Sequence, residues 1–148
     1  MYKNQLTSIL QLDAVTKKVF RGVYAMDRLP MRAQTSAAYV INMDNHDEPG
    51  SHWTAVFCDK CGRIEYMDSY GLAPLDERCR NFLGSDFTYN TLALQRPLSS
   101  ACGFYCVYYL LHRSRGISAD SILKPLARTD SDYIVKKFLY SRYKPIFN

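Results

Sequence analysis

No apolar run in this sequence approaches the roughly 18 residues that a transmembrane helix needs. The longest run, Phe104 to Leu111, is much shorter and is rich in tyrosine. Internal repeats, low-complexity linkers and blocks of five or six like charges are also missing. These absences argue against a membrane-spanning helix, a repeat array and a charged tail, and we expect no membrane partner.

The cysteine count is odd, and no signal peptide is recognisable. The five cysteines are Cys58, Cys61, Cys79, Cys102 and Cys106. A chain of 148 residues can bury about two-thirds of its unfolded surface, so it needs no disulfide to stabilise it. We therefore expect an intracellular, reducing setting and one domain spanning residues 1–148.

The charge balance is moderately basic. The formal net charge is +5 and the pI is about 9.0, which permits an acidic partner such as nucleic acid but equally suits a solvated basic surface. The densest basic and aromatic segment is C-terminal and contains Lys136, Lys137, Phe138, Tyr140, Arg142, Tyr143 and Lys144.

Hydrophobic periodicity predicts an α+β domain with a mainly antiparallel sheet flanked by helices. Helices are predicted at residues 4–18, 75–83, 102–112, 118–127 and 130–142. Extended segments are predicted at residues 19–24, 36–43, 52–58, 63–70 and 91–95, with a hairpin turn near residue 60.

Cys102 is the first candidate for chemistry. It stands where a helix is predicted to begin, and the N-terminus of a helix stabilises a thiolate. Gly103 follows it and would let a substrate approach the backbone closely. A buried structural cysteine is the alternative.

His52 is the candidate base for Cys102, because a cysteine nucleophile needs an imidazole to accept its proton. A hairpin that turns near residue 60 sets Asp68 almost opposite His52, where a carboxylate could orient the ring. Glu65 is nearer the turn and is predicted to face the other side. His46 and His112 are rival bases, and neither is predicted to lie opposite a carboxylate.

Gln95 is seven residues before Cys102. Its side-chain amide could join the Cys102 backbone N–H in an oxyanion hole, although a solvated glutamine at a strand end is the alternative. Trp53, the only tryptophan, could line a substrate groove or simply pack in the core. Cys58 and Cys61 form a CxxC pair without a second ligand pair, so no metal site is predicted.

These motifs together resemble the adenovirus endopeptidase family, which is related to the SUMO-specific proteases. Residues 5–113 carry the resemblance, and its motifs are Gly22–Pro30, His52-Trp53, Asp68-Ser69-Tyr70-Gly71, Gln95 and Ser100–Cys106. The order His, acidic residue, Gln, Cys is that of the family, whereas papain begins with its cysteine.

The resemblance implies a papain-like fold and a cysteine endopeptidase. The triad would be Cys102, His52 and Asp68, with Gln95 in the oxyanion hole. The substrates would be precursor proteins of a virus or a Polinton-like element, and the location the host nucleus or the virion.

Two departures qualify the resemblance. Adenoviral enzymes generally carry Glu where this chain has Asp68, and Asp is usual in the SUMO-protease branch. No cysteine matches the one that binds the adenoviral activating peptide, since Gly84 falls near that position, so no disulfide-linked activator is predicted.

No cofactor is required by the sequence, although the resemblance leaves DNA open as an activator. Two other functions also stay open: an isopeptidase that removes a ubiquitin-like modifier, and a non-catalytic module of the same fold that binds nucleic acid.

Overall fold

Five strands form one sheet in the computed structural model, which describes all residues from Met1 to Asn148. They are β1 (Phe20–Ala25), β2 (Ala37–Asn42), β3 (Trp53–Cys58), β4 (Ile64–Met67) and β5 (Phe87–Tyr89). The order across the sheet is the order along the chain. The β2–β3 and β3–β4 pairs are antiparallel, whereas β1–β2 and β4–β5 are parallel. The α+β class is confirmed, but the sheet is mixed rather than mainly antiparallel.

The parallel pairs arise from the connections between their strands. Parallel neighbours cannot be joined by a tight hairpin and need a crossover that returns the chain to the same end of the sheet. Between β4 and β5 this crossover contains helix α2 (Glu77–Leu83). Residues 26–36 make the other crossover, between β1 and β2, and contain only a short 3₁₀ turn.

Five more helices complete the fold. They are α1 (Lys3–Leu12), α3 (Cys102–Arg113), α4 (Ala119–Leu126), α5 (Ser131–Arg142) and α6 (Lys144–Phe147). None of the helices combines the length and the apolar character that crossing a bilayer requires. The four-residue helix α6 was not predicted.

The first helix is shorter than predicted because Asp13 ends it. The Asp13 carboxylate accepts the backbone N–H of Thr16 at 2.8 Å and forms an ion pair with Arg115 at 2.6 Å. An aspartate that bonds to a nearby backbone N–H offers the chain an alternative to helical hydrogen bonds. Residues 16–18 consequently form a separate 3₁₀ turn.

Alternate residues of β2 enter two hydrophobic clusters, one on each face of the sheet. Ala38 and Val40 join the larger cluster with α1 and α3. Tyr39 and Ile41 face the smaller cluster, which α2 covers. Because both of its faces are buried, β2 is almost continuously apolar. The larger cluster packs α3 against β2 and β3, in the middle of the sheet.

The strand predicted at residues 91–95 is absent, and β5 lies earlier in the chain. Residues 91–95 instead form a loop that is attached to a neighbouring turn. The backbone N–H groups of Leu94 and Gln95 both donate to the carbonyl of Ser69, at 2.8 and 2.9 Å. One carbonyl that accepts two bonds fixes the loop without a ladder of strand hydrogen bonds.

Candidate active site

Cys102 is the first residue of α3 and is almost fully buried. The first N–H groups of a helix have no intrahelical partner, and their positive ends favour an anion. Burial raises the pKa of the Cys102 thiol, but His52 and the backbone N–H groups of Trp53 and Gly103 outweigh that effect. The pKa of Cys102 therefore lies below its ordinary value.

The other buried cysteines differ from Cys102 in this respect. Burial raises the pKa of Cys58, raises that of Cys79 to about 12 and raises that of Cys106 well above the ordinary value. Cys61 is exposed. Since the thiolate is the nucleophilic form, Cys102 is the buried cysteine whose surroundings favour reaction.

His52 lies just before β3, and its ring bonds to Asp68 just after β4. Nε2 donates to Oδ1 of Asp68 at 3.0 Å, which leaves Nδ1 for the cysteine. Burial of the imidazole disfavours its charged form, but the hydrogen bond to Asp68 and the interaction with Cys102 are together stronger. They raise the pKa of His52 to about 9, and His52 and Cys102 therefore favour the imidazolium–thiolate form of the pair.

The register of the β3–β4 hairpin differs by two residues from the predicted one. Ala55 pairs with Met67, and the same register continued would set Tyr70, rather than Asp68, opposite His52. The rings of His52 and Tyr70 do stack, with centroids 5.1 Å apart and planes 26° apart. Asp68 is a diagonal neighbour, and its carboxylate still reaches the imidazole.

Two residues that sequence reasoning missed hold Asp68 in place. The backbone N–H of Tyr70 donates to Oδ1 of Asp68 at 2.8 Å, so this oxygen accepts from both Tyr70 and His52. The Asn90 side chain accepts from the Asp68 N–H at 3.0 Å and donates to the Asp68 carbonyl at 2.7 Å. Asn90 directly follows β5, and no local pattern in the sequence indicates this contact.

Gln95 is buried, and both atoms of its amide are bonded. Its Oε1 accepts the hydroxyl of Ser69 at 2.6 Å. Its Nε2 donates to the Ser99 carbonyl at 2.7 Å and lies 3.3 Å from the Ser99 hydroxyl. The first bond is strong and the second is weak, so one N–H of the amide is fixed and the other can exchange its partner.

Trp53 and Gly103 have different surroundings. Trp53 is half-buried and lines a groove of about 540 Å³ together with Asn42, His46 and Glu48. A side chain at position 103 would lie 3.3 Å from Cβ and Sδ of Met1. The close approach at Gly103 is therefore made by Met1, and contact with a substrate at Gly103 stays a prediction.

The prediction that His46 lacks a carboxylate partner is wrong. Its Nδ1 lies 2.5 Å from Asp27 Oδ2, and its backbone N–H donates to Oδ1 of the same residue at 2.8 Å. The crossover after β1 brings Asp27 to the loop before β3. The pairing of β3 with β4 gives no information on this contact. Nε2 of His46 is 3.1 Å from the guanidinium of Arg28, so both ring nitrogens of His46 already have partners other than a cysteine. No three His, Cys, Asp or Glu side chains cluster closely enough to hold a metal ion.

Two curated proteins that the sequence matches are both thiol proteases of viruses. The sequence is 30% identical to the "Putative thiol protease R355" of Acanthamoeba polyphaga mimivirus, over 110 aligned positions that cover 66% of this chain and 36% of that protein. It is 25% identical to the cysteine protease S273R of African swine fever virus, over 140 positions that cover 83% of this chain and 51% of that protein. The chain is similar to viral thiol proteases.

The fold agrees with the sequence comparison. The crystal structure of the African swine fever virus pS273R protease matches 88% of this chain and 66% of its own, with a TM-score of 0.57 and 17% identity. No protein-family model matches the sequence. The chain spans about a third to a half of the length of its curated relatives. These relatives are viral cysteine proteases, and the narrower resemblance to adenoviral enzymes stays a prediction.

Gly71 closes the turn that carries Asp68, and we expect Gly71→Ala to destabilise the protein. Its φ is +71°, and an added Cβ would lie 2.7 Å from the Leu92 carbonyl carbon and 2.8 Å from its oxygen. Backbone atoms cannot move aside cheaply, so a loss of about 2–4 kcal/mol in the free energy of unfolding is expected. Chemical denaturation of the purified variant measures it.

Gly116→Ala is the matched control for this substitution. Gly116 has a similar φ of +83°, but a Cβ there meets nothing within 4 Å. The free energy of unfolding of this variant should therefore fall only by the cost of placing alanine in a left-handed backbone conformation, about 1 kcal/mol. Equal losses for the two variants would mean that the turn at Gly71 can relax away from Leu92.

Proposed function

We propose that this chain is a cysteine endopeptidase in which Cys102 is the nucleophile, His52 the general base and acid, and Asp68 the residue that orients His52. One observation carries the proposal: the buried thiol with a lowered pKa interacts with an imidazole that is itself bonded to a buried carboxylate. The similarity to viral thiol proteases supports the same reaction class.

The proposed reaction has two steps, which begin from the imidazolium–thiolate pair. The Cys102 thiolate attacks the carbonyl carbon of the scissile peptide and forms a tetrahedral oxyanion. As the C–N bond breaks, protonated His52 gives its proton to the leaving amine. A water molecule then loses a proton to His52 and attacks the thioester, which releases the acid product and the thiolate.

Gln95 and the Cys102 backbone N–H are the proposed donors to the oxyanion. Ser69 and Ser99 hold the Gln95 amide so that Nε2 faces the loop before Cys102. A donor fixed before the reaction stabilises the developing charge without having to reorganise, which is worth about 3–4 kcal/mol. The weak second contact to the Ser99 hydroxyl is the one that the oxyanion would replace.

The proposed substrates are precursor proteins of a virus, because the similar proteins are proteases of viruses. The groove beside Trp53 is the proposed place for part of the extended polypeptide. A nuclear or virion location follows from the resemblance only and stays a prediction.

A substrate panel tests this function against its alternatives. The purified chain is incubated with an unfolded polypeptide, with ubiquitin-like conjugates and with labelled DNA. Cleavage inside the unfolded polypeptide supports an endopeptidase, whereas release of an intact modifier alone would indicate the isopeptidase. DNA binding with a steep salt dependence and no cleavage of either protein would indicate the nucleic-acid module.

DNA as an activator is tested in the same panel. The basic and aromatic side chains Tyr133, Lys136, Lys137, Tyr140 and Lys144 line one surface on α5 and α6. A rate of cleavage that rises when DNA is added would support activation. An unchanged rate would argue against it.

A further inference from the structure

The loop between Gln95 and Cys102 contains a turn with an unfavourable residue. The backbone N–H of Ser99 donates to the carbonyl of Arg96 at 3.2 Å, and Leu98 has a φ of +63°. With proline at the second position and a positive φ at the third, this is a type II turn. The third position favours glycine, because a Cβ crowds the backbone at positive φ, and it tolerates asparagine, whose short polar side chain can bond to the nearby backbone.

Burial of the Leu98 side chain does not offset this backbone strain. It is fully exposed, more so than any other large apolar side chain of the chain. A single exposed leucine needs no explanation by itself. A strained backbone conformation, however, persists mostly where a residue has a function, so Leu98 is a candidate for contact with another molecule.

Leu98 directly precedes Ser99, the residue that is bonded to Gln95 of the proposed oxyanion hole. The next residue, Ser99, accepts the Gln95 amide through its carbonyl and the Ala101 N–H through its hydroxyl at 3.1 Å. The Tyr70 hydroxyl also reaches the Ser99 carbonyl, at 3.4 Å. Leu98 is four residues before Cys102, so its Cα is at most about 14 Å from that of the nucleophile. An extended peptide covers such a distance with about four residues.

We propose that Leu98 is a specificity-determining residue that contacts an apolar side chain of the substrate close to the scissile bond. This inference rests on the proposed protease function. The turn presents the leucine outward, and the next residue, Ser99, is bonded to Gln95, so the proposed contact and the oxyanion hole belong to the same loop. Substrates with an apolar residue at the matching position bind more tightly, and polar residues there are disfavoured.

Leu98→Asn tests the proposal, because asparagine accepts a positive φ while it removes the apolar contact. A peptide library with random residues around the cleaved bond is digested, and mass spectrometry of the products gives the preference at each position. The wild type should select apolar residues at one flanking position. Leu98→Asn should lose that selection, raise KM about tenfold for the best peptide and leave kcat nearly constant, with Tm unchanged or higher.

Leu12→Asn is the matched control. Leu12 is exposed and precedes Asp13, which pairs with Arg115 beyond the C-terminal end of α3. Cys102 is at the other end of this helix of 12 residues, about 18 Å away. This variant should keep the wild-type preference.

The outcomes separate this proposal from the protease function. If the wild type cleaves the library and Leu98→Asn cleaves it with the same preferences and KM, Leu98 does not contact the substrate. If the wild type leaves the library uncut, the protease function fails, and this inference fails with it. Equal rates of reaction of Cys102 with iodoacetamide in the wild type and in Leu98→Asn would show that the substitution leaves the nucleophile intact.

Discussion

Replacing Cys102 by alanine is expected to abolish peptide hydrolysis, with a loss of at least about 10⁴-fold in kcat. The thiolate forms the bond to the substrate in the proposed reaction, and no other cysteine can take its place. Cys106 is fully buried one helical turn away, and burial keeps its pKa well above the ordinary value. A fluorogenic peptide assay with the purified variant measures the loss.

Cys61→Ala is the control for this prediction, because Cys61 is exposed at the hairpin turn. It should keep the wild-type kcat. The melting temperature of Cys102→Ala should stay close to that of the wild type, since the substitution removes only the Sγ atom. Hydrolysis that persists in Cys102→Ala would remove this cysteine from the mechanism.

Asp68→Asn is expected to lower kcat by about a hundredfold or more. The substitution removes the charge that helps to raise the pKa of His52 to about 9. The amide oxygen can still accept from the Tyr70 N–H, so the loop should keep its shape. The imidazolium should then lose its proton at a lower pH, and less of it remains to protonate the leaving amine.

The pH profile distinguishes this loss from simple misfolding. In the wild type, kcat should fall as the pH rises through about 9, where His52 loses its proton. In Asp68→Asn this fall should occur at lower pH. The control is Asp76→Asn: Asp76 is the N-cap of α2 and accepts the backbone N–H of Arg78, asparagine is an equally good N-cap, and the variant should show the wild-type profile. If Asp68→Asn has the wild-type kcat and profile, Asp68 does not orient or charge His52.

Much of the candidate site could be predicted because it depends on local structure. A hairpin with its turn near residue 60 necessarily brings His52 and Asp68 to the same end of two paired strands. The start of α3 at Cys102 follows from the apolar segment that begins there. The error of two residues in the register hid Tyr70, because a small shift in the centre of a turn changes every cross-strand pair.

Contacts between distant segments could not be predicted in the same way. Asn90 and Gln95 reach the turn at Asp68 through the crossover that contains α2, and the crossover also makes β4 and β5 parallel. Asp27 reaches His46 through the crossover between β1 and β2. Hydrophobic periodicity describes each segment separately, and it contains no information on which segments the connections place side by side.

The most direct test of the imidazolium–thiolate pair is the rate of alkylation by iodoacetamide across pH, read at each cysteine by mass spectrometry. Wild type and His52→Ala are compared, with the exposed Cys61 as an internal reference. We expect Cys102 of the wild type to react faster than Cys61 at pH 6, and to lose this advantage in His52→Ala because the thiolate is no longer stabilised. Cys102 reacting no faster than Cys61 in the wild type, or equally fast in both proteins, would contradict the proposed pair.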